Sequence, residues 1–99
     1  MILEIVRITV KEGTGDAFVQ AMDEAMPLFK ATEGCHGIEV LRSFEHPRHY
    51  FCLVKWDDVE AHTEKFQKSP DYKKLFNLIG ATIEGEIETS HCEFLLRST

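Results

Sequence analysis

Between Ile2 and Val10 the side chains sort by parity, with Ile2, Val6, Ile8 and Val10 on one face and Leu3, Ile5, Arg7 and Thr9 on the other. The pattern predicts a strand with apolar residues on both sides. KEGTG (11–15) breaks it, and Thr14 is the expected N-cap of a helix in which Phe18, Ala21, Met22, Ala25 and Phe29 recur at helical spacing. Gly34 offers the stop, and Pro27, which lacks an N–H, is expected to bend the helix. GIEVLRSFE and YFCLVKW read as two strands around the polar turn EHPRH, a β-hairpin over residues 37–57. Asp57 followed by Glu60 forms a capping-box pattern, while Ser69, Pro70 and Asp71 supply an N-cap, an N1 proline and an early acid. Two helices therefore start in this region, and the second carries an apolar stripe at Tyr72, Leu75, Phe76 and Ile79. A last strand is expected from about Glu86 to Leu96.

The order is β-α-β-β-α-β with the second helical segment split, which predicts an α+β, ferredoxin-like domain: an antiparallel sheet with helices on one face. All 99 residues fit a single domain. Such a domain leaves the other sheet face uncovered. Leu3 and Ile5 on the first strand, and Phe51 and Leu53 on the third, oppose apolar neighbours, so both faces are apolar. A sheet face of that character meets another protein surface, and the expectation is a symmetric homodimer joined through face-to-face sheets.

Charge and cysteine content narrow the partners. A formal charge of -6 repels phosphate backbones and anionic lipid, so no nucleic acid is expected. MILEIVRITV is interrupted by Glu4 and Arg7 and no apolar run is long enough to span a membrane, so a cytoplasmic location is expected. Cys35, Cys52 and Cys92 are an odd number without CxxC spacing, which predicts reduced thiols and no structural disulfide. Metal binding is not expected either: His91 and Cys92 are adjacent on a strand and point to opposite faces, and other zinc-ligand spacings are missing.

Five features recur together along the chain: EGCHG (Glu33–Gly37), the strand-ending Trp56, EAH (Glu60–His62), FxxSPxY (Phe66–Tyr72) and His91 in the last strand. From the first strand to about Phe94 the chain resembles the antibiotic biosynthesis monooxygenase family of dimeric α+β barrels. The resemblance implies a small apolar pocket between sheet and helices, in which quinols or polycyclic phenols are oxidised by molecular oxygen with no cofactor. The haem-degrading enzymes of the same fold combine a first-strand asparagine and a strand-three tryptophan with a histidine late in the second helical segment. Trp56 matches, but Ile5, Val6 and Arg7 stand where the asparagine would fall, and Leu75 and Phe76 where the axial histidine would be, so haem lacks its protein donor.

A cofactor-free oxygenase needs a pocket for an electron-rich ring, a base that favours the phenolate, and donors for the developing anion. His62 is the first candidate base, because Val59, His62 and Phe66 fall on one helical face directed at the sheet; the blander alternative is a core histidine bound to a backbone carbonyl. His91 shares a strand face with Thr89 and Glu93 and can meet His62 across the helix–sheet gap as second acid/base or orienting group, or else sits half-exposed beside Glu93. Trp56, Phe66 and Tyr72 are candidate walls for a small aromatic ligand, with core packing as the competing role. Arg7 and Arg42 lie in apolar strands; Arg7 is the candidate to hold an anionic ligand, against the plainer fate of pairing with Glu4 or Glu39. His36, His46 and His49, in or beside turns, read as solvated.

Three readings follow. The chain is a monooxygenase with His62 as base; or a non-catalytic ligand-binding or stress-response dimer in which the histidines pack; or an isomerase or cyclase on the same fold, since fold does not fix chemistry.

Overall fold

In the computed structural model, which describes residues 1–98, the elements are β1 (Ile2–Thr9), α1 (Gly15–Lys30), β2 (Cys35–Arg42), β3 (His49–Trp56), a π-helical turn (Ala61–Phe66), α2 (Pro70–Ile79), a 3-10 turn (Gly80–Thr82) and β4 (Glu88–Glu93). The strands form one antiparallel sheet in the order β2-β3-β1-β4. This is the ferredoxin-like α+β arrangement.

Strand parity fixes the layers. Tyr50, Cys52, Val54 and Trp56 are all buried, as are Glu4 and Ile8, and they share a core with Phe18, Met22, Ala25 and Phe29 of α1 and Leu75 and Ile79 of α2. Removing each large apolar side chain from water contributes about 1.5–3 kcal/mol. On the opposite face Leu3, Ile5, Phe51 and Leu53 are half-buried and carry no helix.

Several local expectations change. Thr14 stands at the N-cap of α1, but its hydroxyl donates to the Lys11 carbonyl (2.6 Å) instead of accepting from a helical N–H. The helix ends at Lys30, short of Gly34, as the Thr32 hydroxyl donates to the Leu28 carbonyl (3.0 Å). Gly34, at φ +90°, then turns the chain into β2. The Asp57–Glu60 capping box does not form: Asp58 Oδ1 accepts from the Ala61 N–H (2.8 Å), while Asp57 pairs with His36. Ser69 occupies the N-cap of α2 with its hydroxyl donating to the Phe66 carbonyl (2.6 Å), and Pro70 follows in the first turn, where a missing N–H is harmless.

β4 is shorter than the expected 86–96. Its ladder with β1 runs only from Arg7↔Glu88 to Ile2↔Glu93, because β1 itself begins at Ile2 and offers nothing for later residues to pair with. Leu95 and Leu96 are consequently exposed. Among the described residues no helix is long and apolar enough to cross a membrane.

Candidate functional site

A cavity of about 220 Å³ lies between the sheet and the helices. Its walls are mostly apolar, with Val6 and Ile8 from β1, Met22 and Phe29 from α1, and Leu75, Phe76 and Ile79 from α2. Glu4, His62, Gln67, Tyr72 and Thr89 give it a polar side.

Glu4 follows from the strand period. It is an even-numbered residue of β1, so it points into the helix-covered face along with Val6 and Ile8, and only 5% of its surface is exposed. Its Oε1 accepts the Trp56 Nε1–H at 2.9 Å, and its Oε2 lies 3.2 Å from His62 Nε2. Burial pushes the carboxyl above its ordinary range, and the Trp56 hydrogen bond opposes that rise.

His62 is aimed by the π-helical turn. The Gln67 N–H bonds the His62 carbonyl five residues back (2.9 Å), and the wider turn buries Ala61, His62 and Phe66 together while Val59 stays partly exposed. The expected Val59–His62–Phe66 face therefore does not hold at Val59, since an α-helical count does not apply to a π-turn. The imidazole stacks on Trp56 with centroids 5.5 Å apart. Its Nδ1 lies 2.8 Å from His91 Nε2, and the Gln67 side-chain nitrogen is 3.4 Å from its Nε2. Burial lowers the His62 pKa to about 4, and the charge of His91 adds to the fall. His62 is thus neutral near pH 7, with both ring nitrogens engaged by ionisable neighbours.

His91 is opposite Glu4 in the β1–β4 register and is exposed to solvent. The structure brings His62 and His91 together, as the strand and helix faces allow. Phe66 and Tyr72 line the cavity, the two rings edge-on at 5.6 Å. Trp56 is fully buried behind Glu4, supporting the carboxyl without lining the cavity. Arg7 lies away from the cavity altogether: as an odd-numbered residue of β1 it is on the uncovered face, where its guanidinium pairs with Glu88 at 2.8 Å and not with Glu4 or Glu39. His36 is not merely solvated, for it pairs with Asp57 and holds that carboxyl below its usual range.

Two site residues escaped the sequence reading. Glu4 had a signal, a lone acid on the parity that holds Ile2, Val6 and Ile8. Gln67 had none, because only a π-turn brings it beside His62. The three cysteines are free, and burial pushes the cavity-facing Cys52 thiol up to about 12, which excludes a thiolate nucleophile there at neutral pH.

This arrangement offers an apolar chamber for a small ring, with a carboxyl–imidazole pair at its polar side able to take up or deliver a proton. Comparison with known proteins agrees in shape. A crystal structure of a Bordetella bronchiseptica protein assigned to the antibiotic biosynthesis monooxygenases superposes with a TM-score of 0.94 at 33% identity, covering 96% of this chain and 97% of that one. A Nitrosomonas europaea protein with the same assignment has a TM-score of 0.82 at 14% identity, over 97% of this chain and all (100%) of that one, a likeness of fold alone. The uncharacterized protein YczJ of Bacillus subtilis (strain 168) is 30% identical over 74 residues, 75% of this chain and 78% of the relative. The family model described as antibiotic biosynthesis monooxygenase matches residues 1–78, and the chain belongs to that family.

Proposed function

We propose that this protein is a cofactor-independent monooxygenase that oxidises a small aromatic, a quinol or fused-ring phenol, with molecular oxygen, and that it works as a homodimer. The observation that carries the reading is the Glu4–His62 pair set into the side of an otherwise apolar cavity. A ring fills the apolar chamber, and its hydroxyl meets the Glu4–His62 pair, which acts as the base with its imidazole backing the carboxylate. Loss of the proton leaves an electron-rich phenolate that passes an electron to oxygen. The two radicals combine into a C–O–O bond at a ring CH2 carbon of the keto form. The peroxide then takes a proton, and elimination of water breaks O–O and C–H to leave C=O. The sum, CH2 + O2 → C=O + H2O, balances with no external reductant. Gln67 and Tyr72 offer hydrogen bonds to the developing anion.

One observation favours the binding reading as the alternative. Both nitrogens of His62 already have partners, the condition of a packed, satisfied core histidine. Oxygen uptake by metal-free protein against a panel of quinols and fused-ring phenols decides between them. Uptake that disappears in His62→Ala while the fold persists supports the oxygenase. Ligand-dependent stabilisation with no uptake supports binding alone.

A further inference from the structure

Three ionisable side chains from three separate elements stand in line. Glu4 Oε2 is 3.2 Å from His62 Nε2, and His62 Nδ1 is 2.8 Å from His91 Nε2. Glu4 and His62 are buried in the cavity wall, while His91 does not line the cavity and is exposed. The line thus runs from the ligand chamber to solvent.

Its protons are linked. Trp56 Nε1–H can only donate, so Glu4 Oε1 is an acceptor. With Glu4 ionised, Oε2 accepts from His62 Nε2–H, and the bare Nδ1 accepts from His91 Nε2–H. With Glu4 protonated toward His62, the order reverses: Nε2 is bare, Nδ1–H donates, and His91 Nε2 accepts. When the line holds three protons, one form has a carboxylate at Glu4 and an imidazolium at His91, and the other is neutral throughout. They interconvert by shifting two protons along two existing hydrogen bonds, without moving a heavy atom.

We infer that Glu4, His62 and His91 form a proton relay between the cavity and solvent, with Glu4 as the cavity terminus, His91 as the surface terminus and His62 as the coupling between them. In its ionised form Glu4 accepts a proton from an acidic ligand: the ligand O–H bond breaks, its electron pair stays on the ligand oxygen, and a new O–H forms on Glu4. To balance the proton gained at Glu4, the Nδ1–H bond of His91 breaks and its proton passes to water. The groups facing Glu4 are Trp56 and Cys52 of β3, Cys35 of β2, His62 and His91. Among the described residues no lysine or arginine stands within ion-pair distance of it. The imidazoles are therefore its available counter-charge. No redox step is involved, so the inference does not depend on reaction with oxygen.

The test is the ring ¹⁵N spectrum of ligand-free protein, Glu4→Gln against wild type recorded at rising pH until Glu4 is ionised. With its oxygen held by Trp56, Gln at position 4 presents its NH2 to His62, which forces Nε2 to be bare, Nδ1 to carry the proton, and His91 Nε2 to accept. The expected result is that protonated-type and bare-type shifts exchange places in both rings, including His91, which the substituted side chain does not touch. Unchanged nitrogen shifts at His91 would overturn the relay. If Glu4→Gln does not fold, a through-hydrogen-bond ¹⁵N–¹⁵N coupling between His62 Nδ1 and His91 Nε2 in the wild type decides: its presence supports the relay and its absence overturns it.

Discussion

Glu4 is the residue on which the site turns, and its cost to the fold depends on its neighbours. A buried carboxyl needs donors, and Trp56 supplies one through the only polar atom of its side chain. Trp56→Phe keeps most of the packing but removes that donor, so a loss of about 1–3 kcal/mol in urea denaturation is expected. A loss no larger than that of a surface substitution would show that water replaces the indole. The two titrating groups also act on stability in opposite senses. His62 is held near 4, below its ordinary 6.5, so over that interval the unfolded chain binds the extra proton and stability falls as pH drops from 6.5 to about 4. Glu4 is raised above 4.5, so the folded chain keeps its proton longer, and stability falls as pH rises from there. In Glu4→Gln only the histidine contribution remains, and its urea midpoint should fall more steeply between pH 6.5 and 4 than that of the wild type. Parallel curves for the two proteins would mean that Glu4 does not titrate as its burial implies. His62 is legible as an inward-facing position and His91 as a strand residue able to meet it, whereas Glu4 reads as a partner for Arg7 until parity puts Arg7 on the other face of the same strand.

At the scale of elements, the period-2 and period-3.6 patterns locate every strand and both α-helices, because burial on one face leaves a regular trace in sequence. The π-turn leaves none. Its six residues, Ala61–Phe66, bury Ala61, His62 and Phe66 together, and an α-helical count carried in from Val59 misplaces that residue. The end of β4 was likewise set by its partner and not by its own composition. What seats the π-turn is Gly34, which has φ +90° and would place a Cβ 2.8 Å from Ala61 Cβ. Gly34→Ala combines backbone strain of about 1–3 kcal/mol with that clash. It should therefore lower stability more than Gly13→Ala, where φ is +79° but nothing lies within 4 Å of the added carbon. The same substitution pushes Ala61 outward, so the His62–His91 contact should loosen as well, visible as changed imidazole shifts. Equal destabilisation by the two alanines would show that the π-turn yields freely.

For the whole molecule, the unresolved business of the fold is the sheet face that no helix covers. Leu3 and Ile5 of β1 and Phe51 and Leu53 of β3 lie side by side on the two central strands, with Leu41 of β2 next to them and the Arg7–Glu88 pair toward the β4 side. Antiparallel sheets with one solvated face alternate apolar with polar, and these central strands do not. A second copy packed on this face removes the apolar strip from water, and two-fold symmetry places each residue at the contact twice. Leu53→Glu therefore buries two carboxylates per dimer, at a penalty of several kcal/mol for each ion removed from water. Light scattering at micromolar concentration should give a dimer for the wild type and a monomer for Leu53→Glu, with unchanged circular dichroism in the variant. Because each copy carries a formal charge of -6, the wild-type dimer should also weaken as salt is lowered, since repulsion between the copies is then less screened while the apolar contact stays the same. A wild-type monomer at every ionic strength would leave the strip without a partner and remove the homodimer from the proposed function, without touching the Glu4–His62–His91 line, which lies on the other side of the sheet.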